Sequence, residues 1–315
     1  MDPREFCART RLVIVAGKGG VGKTTVSAAL ARMAAKEGLS VLLVEIEGKH
    51  GLATAFGAPA LAYEEQQLAP GISARTLTPD IALIEYLEDH GLRRMSKRLT
   101  RSGAVDVVST AAPGIKDILL LGKVKQLEQR GAADLIVLDA PAAGHAFTFL
   151  LSPRALMATV SSGPIRSQAE DVLSLITDPS RCRVLLVTMA EETPVNEVVE
   201  TAFTLEDQVG IDLGPVVVNG LYPVVEGLDV DPVEAAEAAD VSLRPGEADA
   251  LRAAARFRRA RQRLQDDQVG RLSDALPLPQ LHLPTLFTPE LGLAEIDILA
   301  GALAESVGAL ETVER

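Results

Sequence analysis

Short apolar runs alternate with longer amphipathic stretches along this chain. The apolar runs are typical of strands buried on both faces of a parallel sheet, and they lie at 12–16, 41–44, 134–139, 183–189 and 216–219, with further short strands predicted at 72–77 and 280–284. Apolar residues at helical spacing predict helices at 24–37, 80–99, 115–127, 147–160 with Pro153 as an interruption, 167–176, 194–209, 248–276 and 293–310, and a short helical piece at 105–108. This alternation predicts an α/β fold, in which a mostly parallel sheet carries helices on both faces.

The composition limits the class of protein. The chain has 315 residues, of which 47% are hydrophobic, so we expect a single domain over 1–315 with helical additions at about 80–130 and 146–180. The net charge of −12 argues against nucleic-acid binding, which depends on neutralising phosphates. Cys7 and Cys182 form no CxxC pair, which favours a reducing compartment. The charged N-terminus leaves no room for a signal-peptide core, and we expect a cytoplasmic protein.

A glycine-rich segment separates the first strand from the first long helix. Residues 17–24 read GKGGVGKT, the spacing of a phosphate-binding loop in its usual strand–loop–helix context. Backbone N–H groups and the helix dipole favour an anion there, Lys23 can reach the β- and γ-phosphates, and Thr24 can ligate Mg²⁺. A glycine turn without a ligand is the alternative. The predicted phosphate-binding residues are Gly17, Gly19, Gly20, Val21, Gly22, Lys23, Thr24 and Thr25.

Acidic residues end two of the predicted strands. Asp139 closes the strand at 134–139, and an aspartate at this place in a P-loop protein is the second Mg²⁺ partner, usually through water. Glu45 and Glu47 follow the strand at 41–44, at the end of the sheet where nucleotides bind. The sequence therefore predicts a P-loop NTPase that binds its nucleotide with Mg²⁺.

The lysine directly after the first glycine is unusual. The segment K-G-G-V-G-K-T resembles the deviant Walker A loop of the family that includes the nitrogenase iron protein, the septum-site and partition ATPases, and the arsenite-pump and tail-anchored-protein-targeting ATPases. This resemblance implies that Lys18 reaches across a dimer interface to the partner's nucleotide, as an arginine finger does. A solvated lysine beside a phosphate is the alternative.

Two further segments resemble the switches of the arsenite-pump and tail-anchored-targeting branch. E-G-K-H-G-L at 47–52 and D-A-P-A-A-G-H at 139–145 look closest to the paired actinobacterial members. The resemblance implies that Glu47 positions the attacking water, one methylene longer than the family's Asp, and that Gly144 approaches the γ-phosphate. It also implies adenine contacts from Asn219 and Pro284. Solvated Glu47 and a turn role for Asn219 stay open.

The same resemblance implies an ATPase whose nucleotide-dependent dimer acts as a switch. The dimer forms from two copies of this chain or with a related subunit, and a hydrophobic protein client is implied as well. The helices at 80–130 serve either this client or ordinary core and dimer contacts. The alternative is a regulatory subunit that binds ATP with little hydrolysis of its own. A membrane-surface role is disfavoured by the acidic C-terminal stretch, although peripheral membrane association stays open. Residues 251–255 hold no cysteine where the targeting ATPases bind zinc, so no zinc is expected, and the arginines at 248–276 are interpreted as a solvated or interface face.

Overall fold

An eight-stranded sheet forms the centre of the protein. The computed structural model describes residues 1–46, 51–89, 91–102, 114–141 and 144–310. The strands are β1 (Leu12–Gly17), β2 (Val41–Ile46), β3 (Gln66–Ala69), β4 (Ile72–Leu77), β5 (Leu135–Asp139), β6 (Cys182–Met189), β7 (Val216–Leu221) and β8 (Gln280–Pro284). Their order is β3-β4-β2-β5-β1-β6-β7-β8, and within these strands every pairing is parallel except β3 with β4. The mostly parallel α/β sheet predicted from the sequence is confirmed.

Helices cover both faces of this sheet. The described helices are α1 (Pro3–Ala8), α2 (Lys23–Lys36), α3 (Gly51–Ala55), α4 (Pro79–Asp89), α5 (Arg93–Ser102), α6 (Ile115–Gln129), α7 (Gly144–Thr159), α8 (Pro164–Ile176), α9 (Glu192–Thr204), α10 (Pro232–Ala238), α11 (Glu247–Ala275) and α12 (Leu293–Gly308). A π-helical turn, Leu205–Val209, continues α9. One buried cluster joins the sheet to α6, α7, α8, α9 and α11, and a second joins its other face to α1, α2, α3 and α12.

The strand order creates a crevice at the carboxyl end of β1. β1 lies between β5 and β6 in the sheet. After β1 the chain passes through α2 to β2, on the β5 side of β1, and it reaches β6 on the other side only much later. Ligands in open α/β sheets bind at such a switch point, beyond the carboxyl ends of the strands. The loop after β1 and the end of β5 therefore meet at one edge.

The predicted helix at 80–99 is two helices. α4 ends at Asp89 and α5 begins at Arg93, because Gly91 adopts a left-handed conformation with φ of 76°, which a continuing α-helix cannot accommodate. Leu92 donates its N–H to the carbonyl of Leu87 at 2.7 Å and so closes the end of α4. The short helical piece predicted at 105–108 lies outside the described residues.

Pro153 does not interrupt its helix, as the sequence had suggested. α7 runs through this residue, although proline lacks the N–H that would bond to the carbonyl four residues earlier. That carbonyl belongs to Phe149 and instead accepts a hydrogen bond from the Ser152 hydroxyl at 2.8 Å. The carbonyl that the proline leaves without its usual donor is thereby satisfied on the buried side of α7.

None of the helices in the described parts of the chain combines the length and apolar character needed to cross a membrane.

Candidate nucleotide site

The glycines after β1 form a loop that is closed on its inner side and open on its outer side. Gly17, Gly20 and Gly22 have φ values of 151°, 85° and 92°, which favour glycine. A Cβ on Gly17 would lie 2.3 Å from the Val187 carbonyl oxygen. A Cβ on Gly19 or Gly20 would meet no atom within 4 Å, so the outer side has the room that a phosphate group needs. The loop residues therefore fit a nucleotide phosphate.

Two lysines of this loop have different surroundings. Lys23 begins α2 and is only 6% exposed, and its Nζ donates a hydrogen bond to the Lys18 carbonyl at 2.8 Å. The Lys18 side chain is 41% exposed and forms an ion pair with Glu197 on α9. Lys23 thus points over the loop, while Lys18 points away from it toward α9.

Oxygen ligands for a divalent ion meet where α2 approaches the end of β5. The Thr24 hydroxyl donates a hydrogen bond to Asp139 Oδ2 at 2.7 Å, and Asp139 is fully buried. Hydroxyl and carboxylate oxygens are ligands that Mg²⁺ prefers, so this pair fits the ion as the sequence suggested. Gly51, at the start of α3, approaches closely, since a Cβ there would lie 2.8 Å from Thr24 Cγ2.

A second buried carboxylate lies beside Asp139. Glu45 on β2 is in register with Asp139 on β5 and is also fully buried. The Thr76 hydroxyl donates to Glu45 Oε1 at 2.6 Å. The sequence marked Glu45 only as one of two acidic residues after an apolar strand, and Glu47, the one predicted to position water, lies outside the described residues.

The predicted adenine side is built from the ends of β7 and β8. Asn219 Nδ2 donates a hydrogen bond to the Val21 carbonyl at 2.9 Å, so the asparagine contacts the phosphate loop directly. Pro284 ends β8 in register with Leu221, and Thr285 donates its N–H to the Leu221 carbonyl at 2.6 Å. The adenine contacts of Asn219 and Pro284 stay predictions.

The remaining predicted residues have simple placements. Val21 is buried, Thr25 is half-buried in the first turn of α2, and Gly144 is the first residue of α7. Glu197 was missed by sequence reasoning, because nothing in its local sequence separates it from the neighbouring Glu200.

The cysteines are not reactive groups. Both are buried, and burial raises the pKa of the Cys7 thiol to about 12 and the pKa of the Cys182 thiol above its ordinary value. Since the thiolate is the nucleophile and the metal ligand, burial disfavours both roles for these cysteines. Within the described residues no three His, Cys, Asp or Glu side chains gather to hold a metal.

A glycine loop between a parallel strand and a helix, with a lysine over the loop and a threonine–aspartate pair beside it, defines a P-loop nucleotide-binding protein. Residues 10–163 match the family model described as anion-transporting ATPase. ATPase BagA of Mycobacterium tuberculosis is 34% identical over 308 residues, covering 88% of this chain and 87% of that protein. The chain therefore belongs to the anion-transporting ATPase family, and the resemblance inferred from its motifs is confirmed.

Other relatives match smaller shares of the chain. A putative arsenical pump-driving ATPase of Halobacterium salinarum is 28% identical over 234 residues, covering 68% of this chain and 36% of that protein. ATPase get3 of Schizosaccharomyces japonicus is 32% identical over 177 residues, covering 53% of each chain. All three relatives carry the name ATPase, which supports a nucleotide-binding ATPase.

Proposed function

We propose that this protein hydrolyses MgATP and that nucleotide-dependent pairing of two subunits acts as a switch. The observation that carries the proposal is the hydrogen bond between Thr24 and Asp139 at 2.7 Å, directly beside a loop with room for phosphate. This arrangement brings a hydroxyl, a carboxylate and the Lys23 ammonium to one edge of the sheet. A turn built only for structure has no need of this combination.

Each residue of the loop has a role in the proposal. Thr24 would hold a Mg²⁺ ion directly and Asp139 would hold it through water. The ion would supply positive charge that neutralises the phosphates. When nucleotide binds, the Lys23 ammonium would leave the Lys18 carbonyl and donate to a phosphate oxygen instead. The N–H of Gly144 would donate a hydrogen bond to the γ-phosphate. Glu47 orients the attacking water, and its extra methylene relative to aspartate makes slow turnover the expectation, since misplacement by about 1 Å can cost a hundredfold in rate.

Lys18 is proposed to act on the nucleotide of a second subunit. Its side chain is 41% exposed and pairs with Glu197 on α9, so its ammonium lies at the surface and points away from its own loop. A cation supplied in trans stabilises charge on the transferring phosphoryl group. The partner is a second copy of this chain or a related ATPase, in the cytoplasm, and the switch serves a hydrophobic protein client.

The test combines steady-state MgATP hydrolysis with sedimentation mass, with and without ATP, for wild type, Lys18→Ala and Lys97→Ala. Lys97 is an exposed lysine on α5 and serves as the matched control. We expect wild type and Lys97→Ala to turn over and to dimerise with ATP, and Lys18→Ala to bind ATP but lose turnover. If wild type binds ATP without turnover or dimerisation, the chain is a regulatory subunit or half of a heterodimer.

A further inference from the structure

The Lys18–Glu197 ion pair joins two elements that are distant in sequence. The two residues are 179 positions apart, and they meet because β6 lies beside β1 and α9 follows β6. Their side chains are 41% and 36% exposed, so the pair lies at the surface. An exposed pair of this kind is weak enough to open and close.

We propose that Glu197 is a positioning residue that latches Lys18 onto its own subunit until nucleotide is bound and the partner arrives. This inference rests on the proposed role of Lys18 in trans. An ammonium neutralised by a carboxylate of its own subunit adds little positive charge to a phosphoryl group elsewhere. The pair must therefore open in both subunits before each Lys18 can serve the other's nucleotide.

The loop itself couples the latch to nucleotide binding. Lys23 Nζ donates to the Lys18 carbonyl at 2.8 Å, so one lysine fixes the peptide that carries the other. When Lys23 turns to a bound phosphate, the Lys18 peptide loses this hydrogen bond and gains freedom to move. The latch is then loosened only in the nucleotide-bound subunit.

The neighbouring carboxylates of α9 offer a matched control. Glu191, its N-cap, pairs with Arg261 on α11 at 3.2 Å. Glu200, about one turn beyond Glu197, is exposed, and no ion pair is recorded for it among the described residues. Glu200→Gln therefore removes the same charge from the same helix without touching Lys18.

The first experiment measures dimer dissociation constants by sedimentation in Mg²⁺ and a non-hydrolysable ATP analogue. Dimerisation opens one exposed Lys18–Glu197 pair in each of the two subunits. The loss of two such pairs changes the dimer dissociation constant by about 2- to 30-fold. We expect Glu197→Gln to dimerise more tightly by this factor and Glu200→Gln to match wild type. The gain must shrink as NaCl rises, because salt screens exposed charges, and it must vanish when Lys18→Ala is already present.

A second readout needs no dimer. Mass spectrometry can follow acetylation of Lys18 by an N-hydroxysuccinimide ester in the nucleotide-free protein, with Lys97 as internal reference. The ion pair with Glu197 restrains the Lys18 side chain and covers part of its ammonium, so we expect faster acetylation of Lys18 in Glu197→Gln and no change in Glu200→Gln. Circular dichroism checks that each variant is folded.

The outcomes separate this inference from the proposed function. If Lys18→Ala loses turnover but Glu197→Gln behaves like Glu200→Gln in both readouts, the latch is refuted and the ATPase switch stands. Weaker dimerisation of Glu197→Gln would also overturn the latch, since Glu197 would then support the active arrangement. If Lys18→Ala keeps wild-type turnover and dimerisation, the role of Lys18 in trans fails, and the latch fails with it.

Discussion

Replacement of Gly17 by alanine tests whether the phosphate loop depends on its close backbone packing. The new Cβ would lie 2.3 Å from the Val187 carbonyl oxygen. Val187 is in register with Gly17 on one side and with Val217 of β7 on the other, so its backbone has no direction in which to retreat. Gly17 also has a φ of 151°, a conformation that alanine adopts only under strain.

The expected cost follows from these two effects. Backbone strain of this kind costs about 1–3 kcal/mol, and insertion of a methyl group into packed surroundings costs about 1–3 kcal/mol. We therefore expect Gly17→Ala to lower the free energy of unfolding by roughly 2–6 kcal/mol, a large share of the 5–15 kcal/mol that is typical of folded domains. With a urea dependence of about 3 kcal/mol per molar, the midpoint falls by roughly 0.7–2 M.

The assay is urea unfolding of the nucleotide-free protein followed by far-ultraviolet circular dichroism, since the chain has no tryptophan. Gly19→Ala is the matched control, because its Cβ would meet no atom within 4 Å, and its free energy of unfolding should stay within about 0.5 kcal/mol of wild type. Equal midpoints for Gly17→Ala and Gly19→Ala would refute the reasoning, because the loop would then tolerate a side chain against β6.

Two further predictions concern the adenine side and the packing of α12. Asn219→Asp should weaken ATP binding more than Asn219→Ala, since a carboxylate would face the Val21 carbonyl to which the amide now donates a hydrogen bond at 2.9 Å. Fluorescence titration with a labelled ATP analogue compares the affinities of the two variants. Tighter binding by Asn219→Asp than by Asn219→Ala would contradict the assignment of this contact. A hydrogen bond from Arg32 lowers the pKa of Asp297 to about 2. A carboxylate whose pKa is lower in the folded state stabilises the fold at a pH above its pKa in the unfolded state, which is near 4. This stabilisation is lost as the pH falls toward the folded-state pKa of about 2. Asp297→Asn should therefore lower stability by about 1 kcal/mol at pH 7, after allowance for solvent screening, and not at pH 2; a deficit that persists at pH 2 in thermal unfolding would count against this ion pair as the cause.

The sequence located the buried strands and the edge strand β8 well, and it missed the opposite edge strand, β3. β1 is apolar and buried up to Gly17, and β5 is buried throughout and apolar up to Asp139, so their composition identifies them. β3 has the sequence QQLA and only one buried residue, so its pairing with β4, and not its composition, makes it a strand. Local rules likewise missed the Ser152 hydroxyl that lets α7 continue through Pro153.

The phosphate loop could be predicted because its chemistry is local. Loop glycines, Lys23 and Thr24 are consecutive, and their spacing reflects the reach of one loop around one anion. Asp139 could be predicted because an aspartate ends an apolar strand. Glu197 and the contact from Asn219 to the loop could not, because they depend on which strands are neighbours.

The strand order explains why contacts distant in sequence collect around this loop. Because β1 is central, its loop is reached from the β5 side by Asp139 and from the β6 and β7 side by Glu197 and Asn219. The first side holds the oxygen ligands suited to a metal ion, and the second holds the groups that fix the loop backbone and the exposed lysine. In the proposed function, metal binding and subunit pairing therefore use opposite flanks of one short loop. Residues 17–24 lie between these flanks, and in the proposal the Lys23–Lys18 hydrogen bond is the contact through which nucleotide and partner would influence each other.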